Sequence, residues 1–170
     1  MKILIIGYSG AGKSTLAKCL GEHYDIPYLY LDSVKFYDHM KEHSKEYQDQ
    51  FVKKFLDEND QWVIDGNHYG IAEERFELCD EIYFLDYSRW FCLKEAIKRF
   101  FKNRNKFRES LGCIENFDAG FLWWIIYEGH QPYWANQHLE HMHRCKKYHH
   151  FKTRKELMAY LDAQGIEMHR

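Results

Sequence analysis

Apolar positions along this chain follow two rhythms that alternate. Short runs at Ile3–Ile6, Pro27–Leu31, Trp62–Ile64, Glu81–Leu85 and Lys147–Phe151 have the length and makeup of strands. Between them the spacing turns helical. Leu16, Ala17, Leu20 and Tyr24 predict a helix from Ser14 to about Tyr24. Phe51, Val52, Phe55 and Leu56 predict an amphipathic one from about Ser44 to Asp57. A short helix follows over about Ala72–Leu78. Phe91, Leu93, Ala96, Ile97, Phe100 and Phe101 then give Trp90 to about Lys102 a broad apolar side. Asn103–Asn116 reads as a loop, Phe117 to about Gly129 as an aromatic helix, and about Lys155–Gln164 as the last helix. No linker or repeat interrupts the series. Short apolar strands alternating with helices predict an α/β domain built on a parallel sheet covered on both faces.

Composition narrows the classes. At 170 residues the chain has the size of one domain, and 18% aromatics with only two prolines exclude a disordered or low-complexity polymer. The formal charge of −2 gives no global electrostatic case for nucleic acid. The five cysteines, Cys19, Cys79, Cys92, Cys113 and Cys145, form no C-x-x-C pair and read as free thiols in a reducing compartment. The longest apolar run, Phe121–Tyr127, is far short of the ~18 residues of a membrane span. With a strand beginning at the N-terminus and no targeting segment ahead of it, the expectation is a cytoplasmic protein.

Directly behind the first strand stands Gly7-Tyr8-Ser9-Gly10-Ala11-Gly12-Lys13-Ser14-Thr15. It matches G-x-x-x-x-G-K-[ST] in full and lies between a strand and a helix, as that motif requires. Glycines at 7, 10 and 12 permit positive φ and let successive N–H groups approach a polyphosphate with no Cβ in the way. Lys13 supplies a mobile charge to the β- and γ-phosphates, Ser14 a hydroxyl for Mg²⁺, and the following helix a favourable dipole. The candidate nucleotide-binding set is therefore Gly7, Ser9, Gly10, Ala11, Gly12, Lys13, Ser14 and Thr15, and the expected ligand a nucleoside triphosphate with Mg²⁺. No [NT]-K-x-D element follows, so a signalling GTPase is disfavoured.

The next three strands end in Asp32, Asp65 and Asp86. Ligands of parallel α/β sheets sit outside the carboxyl ends of the strands, so three carboxylates are expected along the edge that holds the phosphates. Spacing alone does not divide the roles of metal ligand and acceptor-orienting group among them. After the fourth strand comes a basic tract from Lys98 to Arg108. Its arginines, Arg99, Arg104 and Arg108, suit a lid that closes over a transferring phosphoryl group.

The phosphate loop, Trp62–Asn67, Phe84–Arg89 and the arginines of 99–108 resemble the adenylate-kinase-like P-loop kinases. Leu31–Val34, Gly112–Asp118 and Phe121–Trp124 further resemble the DNA topology-modulation (FlaR-like) group within them. The resemblance implies a five-stranded parallel sheet of order 2-3-1-4-5, a lid over about 99–117 and an acceptor-side helical region over about 33–60. It also implies Asp65 beside the phosphate loop near the metal with Ser14, and Arg99 as the first lid arginine. The chain departs from nucleoside monophosphate kinases after Asp65-Gly66. They continue Phe-Pro-Arg, whereas this chain continues Asn67-His68-Tyr69 and has its nearest arginine at Arg75. Asp32 looks instead like the acceptor-handling aspartate of the shikimate- and gluconate-type kinases.

Two clusters compete for attention. His138, His141 and His143 lack the i, i+4 pairing of helical zinc sites and read as ordinary histidines. Phe117, Phe121, Trp123, Trp124, Tyr127, Tyr133 and Trp134 read as core of the C-terminal helices, with base stacking as the alternative. The sequence thus points to a Mg-ATP-dependent kinase of a small acceptor, with Lys13, Asp32, Arg99, Arg104 and Arg108 as catalytic candidates. The alternative is an ATP-binding regulator that acts on a partner or DNA without phosphorylating a metabolite.

Overall fold

The computed structural model describes residues 1–38, 40–104, 106–115 and 119–168. Five strands form one parallel sheet: β1 (Lys2–Gly7), β2 (Tyr28–Tyr30), β3 (Trp62–Asp65), β4 (Glu81–Leu85) and β5 (Lys147–Phe151). Numbered among themselves they lie in the order 2-3-1-4-5, so β1 sits at the centre between β3 and β4. In register, Ile5 lies opposite Asp65, and Gly7 opposite Leu85.

The alternation along β1 builds both faces. Ile3 and Ile5 point to one side with Leu16 and Leu20 of α1 (Lys13–Tyr24), Cys92 and Ala96 of α5 (Arg89–Asn103), and Leu157 and Leu161 of α8 (Arg154–Ala163). Leu4 and Ile6 point to the other, with Val34 of α2 (Leu31–Lys35), Val52 and Leu56 of α3 (Lys45–Glu58) and Phe76 of α4 (Arg75–Leu78). The result is a three-layer α/β fold with helices on both faces of the sheet.

Three parts of the architecture add to the elements predicted from sequence. The five-residue helix α2 follows β2 without a break, and it places Asp32 in its first turn. The stretch expected as loop carries a small antiparallel pair, Phe107–Arg108 with Cys113–Ile114, closed by a turn of 3₁₀ helix; a second such pair joins Phe36–Tyr37 to Lys41–Glu42. Helix α7 (Pro132–Met142) is added to the C-terminal half, beside α6 (Ala119–Ile126), which falls within the helix expected from Phe117 to about Gly129. The lid expected over 99–117 and the helix expected from Phe117 include residues 105 and 116–118, which lie outside the described residues.

The expected aromatic core needs correction. Within α6 only Ile125 is buried and Trp123 is exposed, because α5 covers one side of this short helix; Tyr127 just beyond it and Tyr133 of α7 are exposed as well. Phe121 and Trp124 are the members that pack inward.

Candidate active site

The phosphate loop is built from the end of β1 and the start of α1. Gly7 has φ 140°, and a Cβ there would lie 2.4 Å from the Leu85 carbonyl oxygen. Gly10 has φ 85° and presses its backbone against Cys92, leaving no room for a side chain. Both positions therefore require glycine. Gly12 caps α1 without a side-chain bond, so the first N–H groups of a 12-residue helix stay available to an anion. Lys13 arches back, its Nζ donating to the Tyr8 carbonyl at 3.2 Å.

Pairing of β1 with β3 brings Asp65 under this loop. Ser14 Oγ donates to Asp65 Oδ2 at 2.6 Å. Asp65 is only 5% exposed, and its Oδ1 accepts no hydrogen bond among the described residues. Burial pushes its carboxyl up to about 6 and the Asp32 charge adds to this, against the pull of Lys13. A hydroxyl and a carboxylate with one unpartnered oxygen fit a hard divalent cation. Among the described residues no group of three His, Cys, Asp or Glu could hold a metal alone.

Asp32 stands across the same floor. Its Oδ1 lies 2.7 Å from Nε2 of His68. Burial pushes the Asp32 carboxyl up, but the His68 hydrogen bond and charge, with Lys13 and Arg108, outweigh it and hold the group at about 2. The carboxylate is thus ionised and can only accept, which makes His68 the donor.

The loop after β3 ties these parts together. Asn67 accepts from the Gly7 N–H and donates to the Gly7 C=O, both at 2.9 Å. Tyr69 Oη lies 2.5 Å from Nδ1 of His138, whose ring packs edge-on against Tyr8 of the phosphate loop. Arg75 is fully buried and donates to the carbonyls of Asn67, His68, Ile71 and Ala72.

The roof comes from α5 and the hairpin beyond it. Arg99 donates to Glu115 at 2.6 Å, and Arg108 reaches the same carboxylate oxygen at 2.7 Å. Gly112, at φ 72°, lays its backbone against the backbone of Ser33 and Phe36, so this hairpin rests on α2. Residues 9–15, Asp32, Asp65, Arg99 and Arg108 line one cleft of about 630 Å³. Gly7 lies beneath it. Arg104 is exposed and does not line the cleft. Asp86 also departs from expectation: its carboxylate accepts from His150 of β5 at 2.8 Å, away from the cleft.

Asn67, His68 and Glu115 are the site residues that sequence reasoning missed. The first two were visible as a departure after Asp65-Gly66 but had no assigned partner. Glu115 lies in the Gly112–Asp118 segment that carries part of the resemblance, but no role was assigned to it.

No protein-family model matches the chain. Adenylate kinases of Clostridium botulinum are 34% identical over 109 residues, which cover 62% of this chain and 49% of theirs. The chain therefore spans about half the length of the curated relatives it matches. Among solved structures, a shikimate kinase from Bacteroides thetaiotaomicron aligns over 95% of this chain and 94% of its own, at TM-score 0.53 and 14% identity. A deoxyadenosine kinase from M. mycoides, solved with dCMP and dCDP, aligns over 96% and 100% at TM-score 0.52 and 13% identity.

The fold is that of the P-loop kinases. Within this kinase fold the central strand feeds the phosphate loop, and its two neighbours carry Asp65 at the end of one and the β4 backbone against Gly7 on the other. No helix among the described residues is long and apolar enough to cross a membrane.

Proposed function

We propose that the protein transfers the γ-phosphoryl group of Mg-ATP to a hydroxyl of a small acceptor. The observation that carries this reading is the convergence of Lys13, Asp32, Asp65, Arg99 and Arg108 with the phosphate loop in one cleft.

The roles follow from charge and placement. Backbone N–H groups of Gly10–Thr15 hold the triphosphate and Lys13 offsets its charge; Ser14 and Asp65 ligate Mg²⁺. A Mg²⁺ held by these two residues would supply positive charge against that developing on the transferring group. Arg99 and Arg108 exchange Glu115 for the oxygens of the transferring group, where guanidinium forks are worth most. Arg104 belongs to the lid in this reading and reaches the site only on closure. Asp32 accepts a hydrogen bond from the attacking hydroxyl and aligns it. A carboxylate held at about 2 is a weak base, which suits a loose transition state in which the proton leaves late.

The acceptor is an alcohol without a phosphate of its own. Arg75, the arginine nearest in sequence to the position where monophosphate kinases grip the acceptor phosphate, is buried and spent on four backbone carbonyls. The likeness to the DNA topology-modulation group adds no nucleic-acid-binding element to this reading.

The test is ADP formation from Mg-ATP over nucleosides, nucleoside monophosphates, polyols and sugar acids, with Lys13→Ala as the blank. One phosphate-free acceptor raising the rate well above the water background supports the proposal. A flat panel with ATP binding retained overturns it and favours a nucleotide-dependent regulator.

A further inference from the structure

Three consecutive residues after β3 each hold a different element around the cleft: Asn67 the end of β1 at Gly7, His68 the acceptor-side aspartate, and Tyr69 the ring that backs Tyr8. The middle one stands out because its partner has so little else. The Asp32 side chain is 47% exposed, and His68 Nε2 is its one hydrogen-bond partner among the described residues. Packing alone does not fix the direction of its second oxygen.

His68, by contrast, is held firmly. Its side chain is 20% exposed, its carbonyl accepts from Arg75 at 3.3 Å, and the residues on either side are anchored to Gly7 and to His138. The imidazole does not itself line the cleft. We propose that His68 is a positioning residue that aims the free Oδ2 of Asp32 at the acceptor hydroxyl. This rests on the kinase reading and adds to it a histidine–aspartate pair that fixes where the acceptor oxygen sits. An oxygen misplaced by about 1 Å costs on the order of 100-fold in rate, so a loose Asp32 is a poor acceptor guide even when fully ionised.

The geometry also says which replacement will serve. Gln places an N–H at nearly the reach of His Nε2, whereas Asn is one atom too short and Ala offers nothing. The experiment measures kcat and KM for acceptor and for ATP in wild type, His68→Gln, His68→Asn, His68→Ala, Asp32→Asn and the double variant Asp32→Asn/His68→Ala. The probes are Mg-ATP with the nucleoside, polyol and sugar-acid panel, and each variant's melting temperature is recorded. The expected result is a loss of roughly 10- to 100-fold in kcat for His68→Ala and His68→Asn, with KM for ATP unchanged. His68→Gln recovers most of it, and the double variant is no slower than Asp32→Asn alone.

If His68→Ala turns over at the wild-type rate while Asp32→Asn does not, the positioning role is wrong and the kinase reading stands. If His68→Gln is as slow as His68→Ala at an unchanged melting temperature, the hydrogen bond is not what matters and the proposal fails. A panel flat in wild type sinks the kinase reading and this role together.

Discussion

Asn67 grips both backbone groups of Gly7 with one carboxamide, accepting from the N–H and donating to the C=O at 2.9 Å each. This clasp joins the end of β3 to the first residue of the phosphate loop, and it needs an amide, since only that group offers donor and acceptor side by side. Asn67→Ala removes both bonds, each worth about 1 kcal/mol, and should lower the melting temperature by several degrees. Asn67→Asp keeps the acceptor but faces a carboxylate oxygen to the Gly7 carbonyl and adds negative charge beside the phosphates. It should weaken Mg-ATP more than Asn67→Ala does. Calorimetric titration with Mg-ATP decides the point: equal affinities in all three proteins would remove the clasp from any part in nucleotide binding.

Asp65 and Asp32 should impose opposite pH dependences. Burial raises the Asp65 carboxyl to about 6, above the unfolded value near 3.9, so the folded protein binds the proton more tightly. Its contribution favours folding below about pH 4 and is lost as pH rises through 6, by up to roughly 3 kcal/mol. Asp32 is held at about 2, so its contribution is present above about pH 4 and lost as pH falls toward 2. Between about pH 4 and pH 6, Asp65→Asn should therefore melt with a flatter pH profile than the ligand-free wild type. Mg-ADP should also bind more tightly as pH rises through 6, because Asp65 must release its proton to hold a cation, and Asp65→Asn should lose that extra dependence. Parallel profiles for the two proteins would contradict the burial argument.

Glu115 holds Arg99 and Arg108 together on its Oε1, while Arg99 Nε also reaches Oε2, and its own side chain is only 7% exposed. Replacing it with Ala leaves two neighbouring guanidinium groups without their shared counter-charge, one of them, Arg108, largely desolvated. The variant should be less stable than wild type by about 1–3 kcal/mol. Phosphate oxygens can take the place of the missing carboxylate, so Mg-ATP should raise the melting temperature of Glu115→Ala by more than it raises that of wild type. An equal rise in both would mean that the lid arginines do not meet the nucleotide.

Arg75 offers a stability test. Its fork reaches the carbonyls of residues 67, 68, 71 and 72 from full burial, where burial lowers its pKa to about 10. Lysine keeps the charge but cannot span the same carbonyls. Both Arg75→Lys and Arg75→Met should lower the urea midpoint, by the equivalent of about 3 kcal/mol or more for Arg75→Lys. A lysine variant as stable as wild type would show that the fork geometry is dispensable.

The parts of this molecule that could be read from its sequence are those with a long period or a complete motif. The strands announced themselves by apolar runs, and the phosphate loop by the four fixed positions of its motif, Gly7, Gly12, Lys13 and Ser14, in a required context. Helix α2 escaped because it offers only Leu31 and Val34 to the core, too few to set a period behind a strand. Helix α7 escaped for a different reason: its buried residues include His138 and His141, which count as polar in a pattern but pack here as rings against Tyr8, Tyr69, Phe76 and Phe84. Arg99 and Arg108 stood out as members of a basic tract, whereas the placing of Arg108 and not Arg104 in the cleft depends on a two-residue strand, Phe107–Arg108, that no local signal marks. The pairings of Asn67 and His68 cross 60 and 36 positions of sequence, and polar contacts at that range leave no periodic trace.

Because Asn67, His68 and Tyr69 answer to three different partners in strict succession, this loop tolerates change in letters and not in length. Inserting or deleting one residue ahead of them would shift every side chain to a neighbour's task, and the clasp, the aspartate's partner and the ring contact would fail at once. Substituting one of the three alters a single connection and leaves two. Point replacements here thus change one link at a time, whereas a change in the spacing from Asp65 to Arg75 breaks three together.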